Sequence, residues 1–378
     1  MSFRRSRIPR RKFVKLAGGA SASATLAACG SAEGTPDPMD PTDPMEPMDP
    51  TDPGNNLTAT TIDTHHHMVP DFYVQRLADA GIVTAGGIPF PEWTLESSIE
   101  TMDNNGIDHA VLSLSSPGVF FGDQAFATQL SRDVNEFGAS IMADNSRFGF
   151  CANVPQPGGE ESAAEAVYAL DELGADGVAL LASAGDRFLG DPVYDELLAE
   201  LDARNAVVFL HPNQHSSSQP ENLGLDTPVF AVEFVVDTTR AVQNMIWQGT
   251  FERFPNIRWI VAHAGGTIPY LVYRLPLVEI AFPDLRERSP EGTLTYLKRL
   301  YYDTALSMSR TALFALLDLV GPDQITFGSD FPFAPGLLVS RQTNEFDGLA
   351  EDTGFPAVDA STVETIRGNG YTLFPRLG

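Results

Sequence analysis

The chain has 378 residues, 43% of them hydrophobic and 24 of them phenylalanine, so it can bury a sizeable core and is not mainly disordered. Its formal net charge of −26 argues against a nucleic-acid partner, because a phosphate backbone requires a basic surface. Two cysteines, Cys29 and Cys151, imply no disulfide framework.

The first 56 residues read as an address and a tether. Arg4, Arg5, Arg7, Arg10, Arg11, Lys12 and Lys15 all precede the first acid, Glu33. The run Leu16–Ala28 that follows is too short and too weakly apolar for a stable membrane span, and the layout is that of an export signal. Arg10-Arg11-Lys12-Phe13-Val14-Lys15 resembles the twin-arginine export motif. Leu26-Ala27-Ala28-Cys29 resembles a bacterial lipobox, which would make Cys29 the lipidated first residue of the exported chain. Residues 1–28 are therefore expected to be the signal, and the expected location is the cell envelope, with the membrane touched only through a lipid anchor.

From Asp37 to Gly54 an acid and a proline recur every third residue, as Asp-Pro-Met, Asp-Pro-Thr and their variants. Proline at that spacing forbids helix and sheet and favours polyproline II, a stiff spacer of roughly 55 Å. Residues 29–56 are thus expected to be a lipidated Pro-rich linker, and 57–378 the folded domain.

In that domain short β-branched runs alternate with helical patterns. The candidate strands are Ala59–His65, His109–Leu114, Phe148–Val154, Gly177–Leu181, Ala206–His211, Ile257–His263, Leu300–Asp303 and Gln324–Ser329. Between them lie candidate helices such as Glu161–Leu173, Pro192–Arg204, Thr238–Arg253 and Arg310–Val320. Eight strands alternating with helices predict an α/β fold, a (β/α)8 TIM barrel, with a doubly wound open sheet as the competitor. No Gly-rich phosphate loop opens any of the helices, which weakens a nucleotide-binding version of that competitor.

Barrel enzymes build their sites at the C-terminal ends of strands, and here those ends carry His65, His67, His211, His263 and Asp330. In Asp63-Thr64-His65-His66-His67 alternate side chains of an extended strand share a face, so His65 and His67 can reach one metal while His66 points away. His211 ends the apolar run Val208-Phe209-Leu210 and joins that pair as a ligand. His263 precedes Gly265-Gly266, glycines expected to let a ligand approach the backbone, and is read either as a ligand or as a general acid/base. Asp330 has the apolar neighbours Phe327 and Phe331, and a buried carboxylate there is explained by a metal or a proton role, or by a helix N-cap. Imidazole and carboxylate ligands suit one divalent ion, Zn²⁺ first, with Mn²⁺ as the competitor. Cys151 reads as a buried small hydrophobe, and His109, His215 and Trp93 carry no comparable case.

Taken together, Ile62-Asp63-Thr64-His65-His66-His67, Arg147-Phe148-Gly149, Val208-Phe209-Leu210-His211-Pro212, Phe254-Pro255-Asn256, His263-Ala264-Gly265-Gly266 and Phe327-Gly328-Ser329-Asp330-Phe331-Pro332 resemble the amidohydrolase superfamily, in its aminocarboxymuconate-semialdehyde decarboxylase-like branch. Within it, Trp93, Ser113-Leu114-Ser115-Ser116-Pro117-Gly118, Tyr168-Ala169-Leu170-Asp171 and Asp237-Thr238-Thr239-Arg240 look most like 6-methylsalicylate decarboxylases. The resemblance implies one metal on His65, His67, His211 and Asp330, with His263 beside it as proton handler and Asp330 delivering a proton to the ring carbon as carbon dioxide leaves. It also implies a homodimer, in which Arg274 reaches a neighbouring subunit's substrate. One position departs from the branch. Where it has an arginine gripping a second carboxylate, this sequence has Ser98, ahead of Met102-Asp103, which implies a small aromatic monocarboxylate as substrate. The alternatives are hydrolysis of an amide or lactone on the same metal, and a non-catalytic surface lipoprotein that binds a ligand.

Overall fold

The computed structural model describes residues 60–218, 224, 226–352 and 357–378. The expected signal, the lipobox-like run with Cys29 and the expected Pro-rich tether lie outside them.

Eight strands form one sheet: β1 (Ile62–His67), β2 (His109–Ser113), β3 (Phe148–Asn153), β4 (Gly177–Leu181), β5 (Val207–His211), β6 (Arg258–Val261), β7 (Tyr301–Asp303) and β8 (Ile325–Thr326). Each lies parallel to the next in chain order, so every connection is a crossover of the kind that helices supply. The segment after β8 returns to β1. Thr64 N–H donates to Phe327 O at 2.9 Å, Asp330 N–H to His65 O at 2.9 Å and His67 N–H to Phe331 O at 2.7 Å. The sheet is thereby a nearly closed barrel, as the (β/α)8 expectation requires.

Among the helices are α1 (Leu95–Asn104), α2 (Gln124–Asp144), α3 (Gly159–Asp171), α4 (Asp195–Ala203), α5 (Glu233–Trp247), α6 (Arg310–Val320) and α7 (Gly336–Gly348). Their starts are written in the sequence. Thr94 and Ser97 form a reciprocal capping box on α1, Asp123 accepts from Phe126 N–H on α2, and Ser309 accepts from Ala312 N–H on α6. α6 occupies its predicted span, burying Leu313, Leu316 and Leu319 and stopping at Gly321, whose φ is 77°. α5 departs from the predicted Thr238–Arg253. It starts five residues earlier and ends at Trp247, because Gly249 (φ 72°) breaks the chain before a separate turn, Thr250–Arg253.

Strand bounds also differ from expectation where pairing, rather than sequence, sets them. β1 runs on through His67, and β8 keeps only Ile325–Thr326, because the chain beyond it bonds back to β1. β6 stops at Val261, where His263 and Ala264 take left-handed backbone.

The strands divide two cores by their alternation. Side chains such as Leu112, Phe150, Leu180, Val208 and Trp259 pack outward under the helices. Val111, Cys151, Ala179, Val207, Phe209 and Ile260 fill the barrel interior, closed at the far end by Leu373, Phe374 and Leu377 near the C-terminus. Cys151 is fully buried there, and burial pushes its thiol pKa up, so it acts as an inert apolar residue, as expected.

Candidate active site

The inward face of β5 carries Val207, Phe209 and then His211, so the apolar barrel interior passes directly into the polar rim. Phe209 forms the floor: its ring centroid lies 4.8 Å from that of His65, edge to face. Above it the side-chain donors of His65, His67, His211 and Asp330 all lie within 4.8 Å of one another, and all four residues are buried. His65 Nε2 and His67 Nε2 are 3.0 Å apart, and Asp330 Oδ1 lies 3.1 Å from the first and 3.2 Å from the second.

Each imidazole is turned inward by a partner on its outer nitrogen. His65 Nδ1 is 2.7 Å from Asp303 Oδ2, His67 Nδ1 is 3.0 Å from Ser113 Oγ, and His211 Nδ1 is 2.8 Å from Pro212 O. Outer-nitrogen partners of this kind fix tautomer and ring orientation in metal sites. The donor atoms of all four residues converge within 4.8 Å of one another, and a set of three imidazoles and one carboxylate would suit one divalent ion.

His263 sits beside this group, its ring 4.8 Å from that of His65. Strand alternation would turn it outward, as neighbour to the inward Ala262. Its left-handed φ of 54° and that of Ala264 reverse this, locked by His263 N–H donating to Asp303 Oδ1 at 2.8 Å. The following glycines admit protein rather than ligand. A Cβ on Gly265 would stand 2.6 Å from the Tyr302 ring, and one on Gly266 would stand 2.2 Å from the carbonyl of Val235 in α5. The expectation of a ligand approaching them is thus corrected: they let α5 and β7 close around the histidine.

Asp330 also has a left-handed φ, 64°, and its approach is fixed through Ser329. Asp63 accepts from Ser329 N–H at 3.0 Å and from Ser329 Oγ at 2.5 Å, and also faces His66 Nδ1 at 2.9 Å. His66 points away from the cluster, as predicted, with its Nε2 3.1 Å from Ser98 Oγ. Ser98 is fully buried and also accepts the Trp93 indole N–H at 2.9 Å, so it reaches no open space. Sequence reasoning gave Asp303 and Asp63 no role. Their only signal was a carboxylate placed in, or at the end of, a predicted strand, which marks a buried acid in need of a partner.

Charge follows from burial and neighbours. Burial alone would lower the pKa of His65, but Asp303 and Asp330 outweigh it and raise the value to about 10. Burial lowers that of His67 to about 4, takes His211 well below its ordinary value and also lowers His263. Burial would raise the Asp330 pKa, yet His65 and His67 hold it well below the usual carboxylate range. Without metal, His65 is thus the histidine of the cluster that holds the extra, charging proton, between the carboxylates of Asp303 and Asp330. That shift stabilises the metal-free fold fully below pH 6.5, and the contribution is lost as pH rises through 10. Metal must displace the proton. Calorimetry on metal-free protein at pH 8, in buffers of different ionisation enthalpy, should read about one proton released per ion bound, with affinity rising with pH. No release at that pH would overturn this charge assignment.

A cavity of about 310 Å³ opens over the cluster. His211, His263, Asp330, Ser115 and Ser116 line its polar end, and the rest is mostly apolar, with Ile88, Phe230, Phe234, Leu306, Phe333 and Leu338 in its wall beside Ser307. Ser116 Oγ donates to Asn213 Oδ1 at 2.7 Å, and Asn213 N–H donates to Asp237 Oδ2 at 3.0 Å. Burial pushes the Asp237 pKa up to about 7. Among the described residues, no lysine or arginine lines the cavity. Arg274 is exposed and not part of its wall, and His215 lies outside it, stacked on Phe188 at 4.3 Å.

The sequence model of the amidohydrolase family matches residues 62–358. The chain is 35% identical over 324 residues to the 6-methylsalicylic acid decarboxylase of Aspergillus aculeatus, covering 84% of this chain and 96% of that one. A solved amidohydrolase II superposes with a TM-score of 0.76 at 30% identity, covering 84% of this chain and 100% of that one. A 5-carboxyvanillate decarboxylase from Novosphingobium aromaticivorans shares the fold at a TM-score of 0.71 and 24% identity, covering 84% of this chain and 96% of that one. It was solved with manganese and 4-hydroxy-3-methoxy-5-nitrobenzoic acid. On the family match, and on a relative this similar over nearly its whole length, the chain belongs to the amidohydrolase family.

Proposed function

We propose that this chain is a metal-dependent, non-oxidative decarboxylase of a hydroxylated aromatic carboxylic acid of the 6-methylsalicylate kind. The observation that carries the reading is the cavity: one polar end at His211, His263 and Asp330, apolar walls, and no cationic side chain among the described residues to hold a second carboxylate. The curated relative from Aspergillus aculeatus supports the same reaction class. The residues that would hold the ion are His65, His67, His211 and Asp330, with Zn²⁺ first and Mn²⁺ as the competitor. Bound there, the ion supplies Lewis-acid stabilisation of the negative charge that develops on the substrate's oxygens.

The protein's own groups handle the proton. Asp330 is ionised in the free site, so it donates only after taking a proton, and the substrate's ortho hydroxyl provides one. Delivered to the ring carbon that bears the carboxylate, that proton breaks aromaticity. The carbon–carbon bond then cleaves, its electron pair restores the ring, and carbon dioxide departs. His263 Nδ1 lies 3.1 Å from Ala305 O and donates to it, which leaves Nε2 as the basic atom to steady the hydroxyl.

The test is carbon dioxide release from a panel of ortho-hydroxybenzoates, 6-methylsalicylate included, run beside lactones and amides on protein of known metal content. Metal-dependent carbon dioxide is expected. Lactone or amide cleavage without it would move the chain to the hydrolases.

The proposal extends to location and assembly. The basic leader, the twin-arginine-like run and the lipobox-like Leu26-Ala27-Ala28-Cys29 support export and lipid anchoring at Cys29. The exposed Arg274, preceded by Tyr270 and Tyr273 at 88% and 80% exposure, supports a homodimer in which Arg274 serves the neighbouring site.

A further inference from the structure

The polar end of the cavity carries a hydroxyl whose direction is fixed from behind. Ser116 follows β2, Ser183 follows β4 and Asn213 follows β5, and all three are buried. Asn213 Nδ2 donates to the main-chain carbonyl of Ser183 at 2.8 Å. A carbonyl can only accept, so this bond settles which way the Asn213 amide is turned. Its oxygen, Oδ1, therefore faces Ser116 Oγ, at 2.7 Å, and as an amide oxygen it too can only accept. The Ser116 proton is thus committed to Asn213. Asp237 in α5 holds the arrangement in place, accepting the Asn213 N–H at 3.0 Å and the Ser183 hydroxyl at 2.9 Å.

What Ser116 has left is its lone pairs, and among the described residues no group donates to them. Ser116 lines the cavity and is only 3% exposed, so a donor for them has to stand in the cavity. Ser115 makes the contrast. It lines the same wall, its hydroxyl has no partner among the described residues, and it can turn to serve a donor or an acceptor alike. Toward a ligand, Ser116 is an acceptor only.

Counting protons then separates the ligands. An ortho-hydroxybenzoate brings one O–H to the polar end, and the reaction proposed above passes that proton to Asp330. Once such a ring has displaced water, Ser116 faces nothing that can donate, and a buried acceptor left bare is costly.

We infer that the substrate carries a second hydroxyl on its ring, and that Ser116 accepts from it and so distinguishes a free phenol from its methyl ether at that position. The inference rests on the aromatic-acid reading for the ring, its carboxylate and its ortho hydroxyl, and adds Ser116 as a residue that determines specificity. A site whose buried polar group needs a donor rejects an analogue without one more sharply than an apolar wall rejects a misfit.

The test uses the full, metal-loaded chain and 2-nitrophenols, in which a nitro group stands in for the carboxylate and no carbon dioxide can leave. 2-Nitrophenol is titrated by calorimetry beside the analogues that add a hydroxyl at each free ring position, and beside the methyl ethers of those added hydroxyls. At one position the added hydroxyl should tighten binding about tenfold, and its methyl ether should bind no better than 2-nitrophenol. Ser116→Ala should shrink that ratio to within about twofold of unity. General damage to the fold weakens both ligands and leaves the ratio standing. The inference is overturned if no added hydroxyl tightens binding, which leaves Ser116 to a water molecule. It is also overturned if the ether gains as much as the hydroxyl, or if the ratio survives in Ser116→Ala. The ether comparison is made on the parent protein, so it decides the matter even where the variant does not fold. Selective binding in protein that releases no carbon dioxide from any ortho-hydroxybenzoate keeps the role of Ser116 and removes the decarboxylase. Carbon dioxide from 6-methylsalicylate, with no gain from any added hydroxyl, does the reverse.

Discussion

Asp330→Asn should lower the rate of carbon dioxide release by at least about a thousandfold while the protein still folds. Three features set this expectation. The carboxylate lies 3.1 and 3.2 Å from the inward nitrogens of His65 and His67, where it would serve both as a ligand of the proposed ion and as the negative charge that faces those nitrogens. It also lines the cavity, where it can exchange a proton with the substrate. An amide keeps its shape but loses the charge and the ability to carry that proton. The fold should persist because Asn is among the few residues that accept the left-handed backbone seen here, φ 64°. The backbone bonds from Asp330 N–H to His65 O and from Ala334 N–H to Asp330 O do not involve the side chain. The measurement is steady-state turnover beside a thermal melt. A variant that melts like the parent and turns over at the parental rate would remove Asp330 from the mechanism.

Replacing His65 and His67 together, each by Gln, should drop bound metal well below one ion per chain. Elemental analysis of purified protein reads this directly. The effect is expected to be large because each ring is already oriented for ligation, with Asp303 holding one outer nitrogen at 2.7 Å and Ser113 the other at 3.0 Å. Losing His65 also removes the partner of Asp303 Oδ2, completely buried, while Oδ1 keeps the N–H groups of His263 and Ala305, so stability should fall by about 1–3 kcal/mol as well. The two effects separate on adding metal back. A protein that has merely lost stability refills its site when folded at low temperature, whereas one that has lost its ligands does not. Full occupancy in the folded double variant would refute the ligand assignment.

Much of the molecule follows from local rules that sequence states openly. A period of two in His65-His66-His67 puts the outer pair on one face and His66 on the other, where Asp63 and Ser98 receive it. The run ending in His211 could be read because a strand that buries Val207 and Phe209 inward must also turn His211 inward. The α6 bounds were legible for the same reason: Ser309 and Gly321 are chemical stops whose effect reaches only a few residues.

What tertiary structure alone decided lies where distant segments meet. His263 reaches the site against strand alternation, through positive φ at two consecutive non-glycine residues, and Asp303, forty positions later, holds that turn by its backbone N–H. Asp330 is aimed by Ser329, which Asp63 grips from the other end of the chain. The glycines after His263 were legible as a demand for space, but sequence could not say that α5 and Tyr302 would fill it. The cavity is likewise assembled from separate segments of the chain with no common motif. Hydrogen bonding and packing across such separations depend on which strands become neighbours, and that is set when the barrel closes. Sequence by itself determined which residues could bind a metal and on which strand ends they stand, because strand period and ligand chemistry are local. Only closure of the sheet, by bringing β1 against the segment after β8, decided that they share one point in space and which apolar side chains surround it.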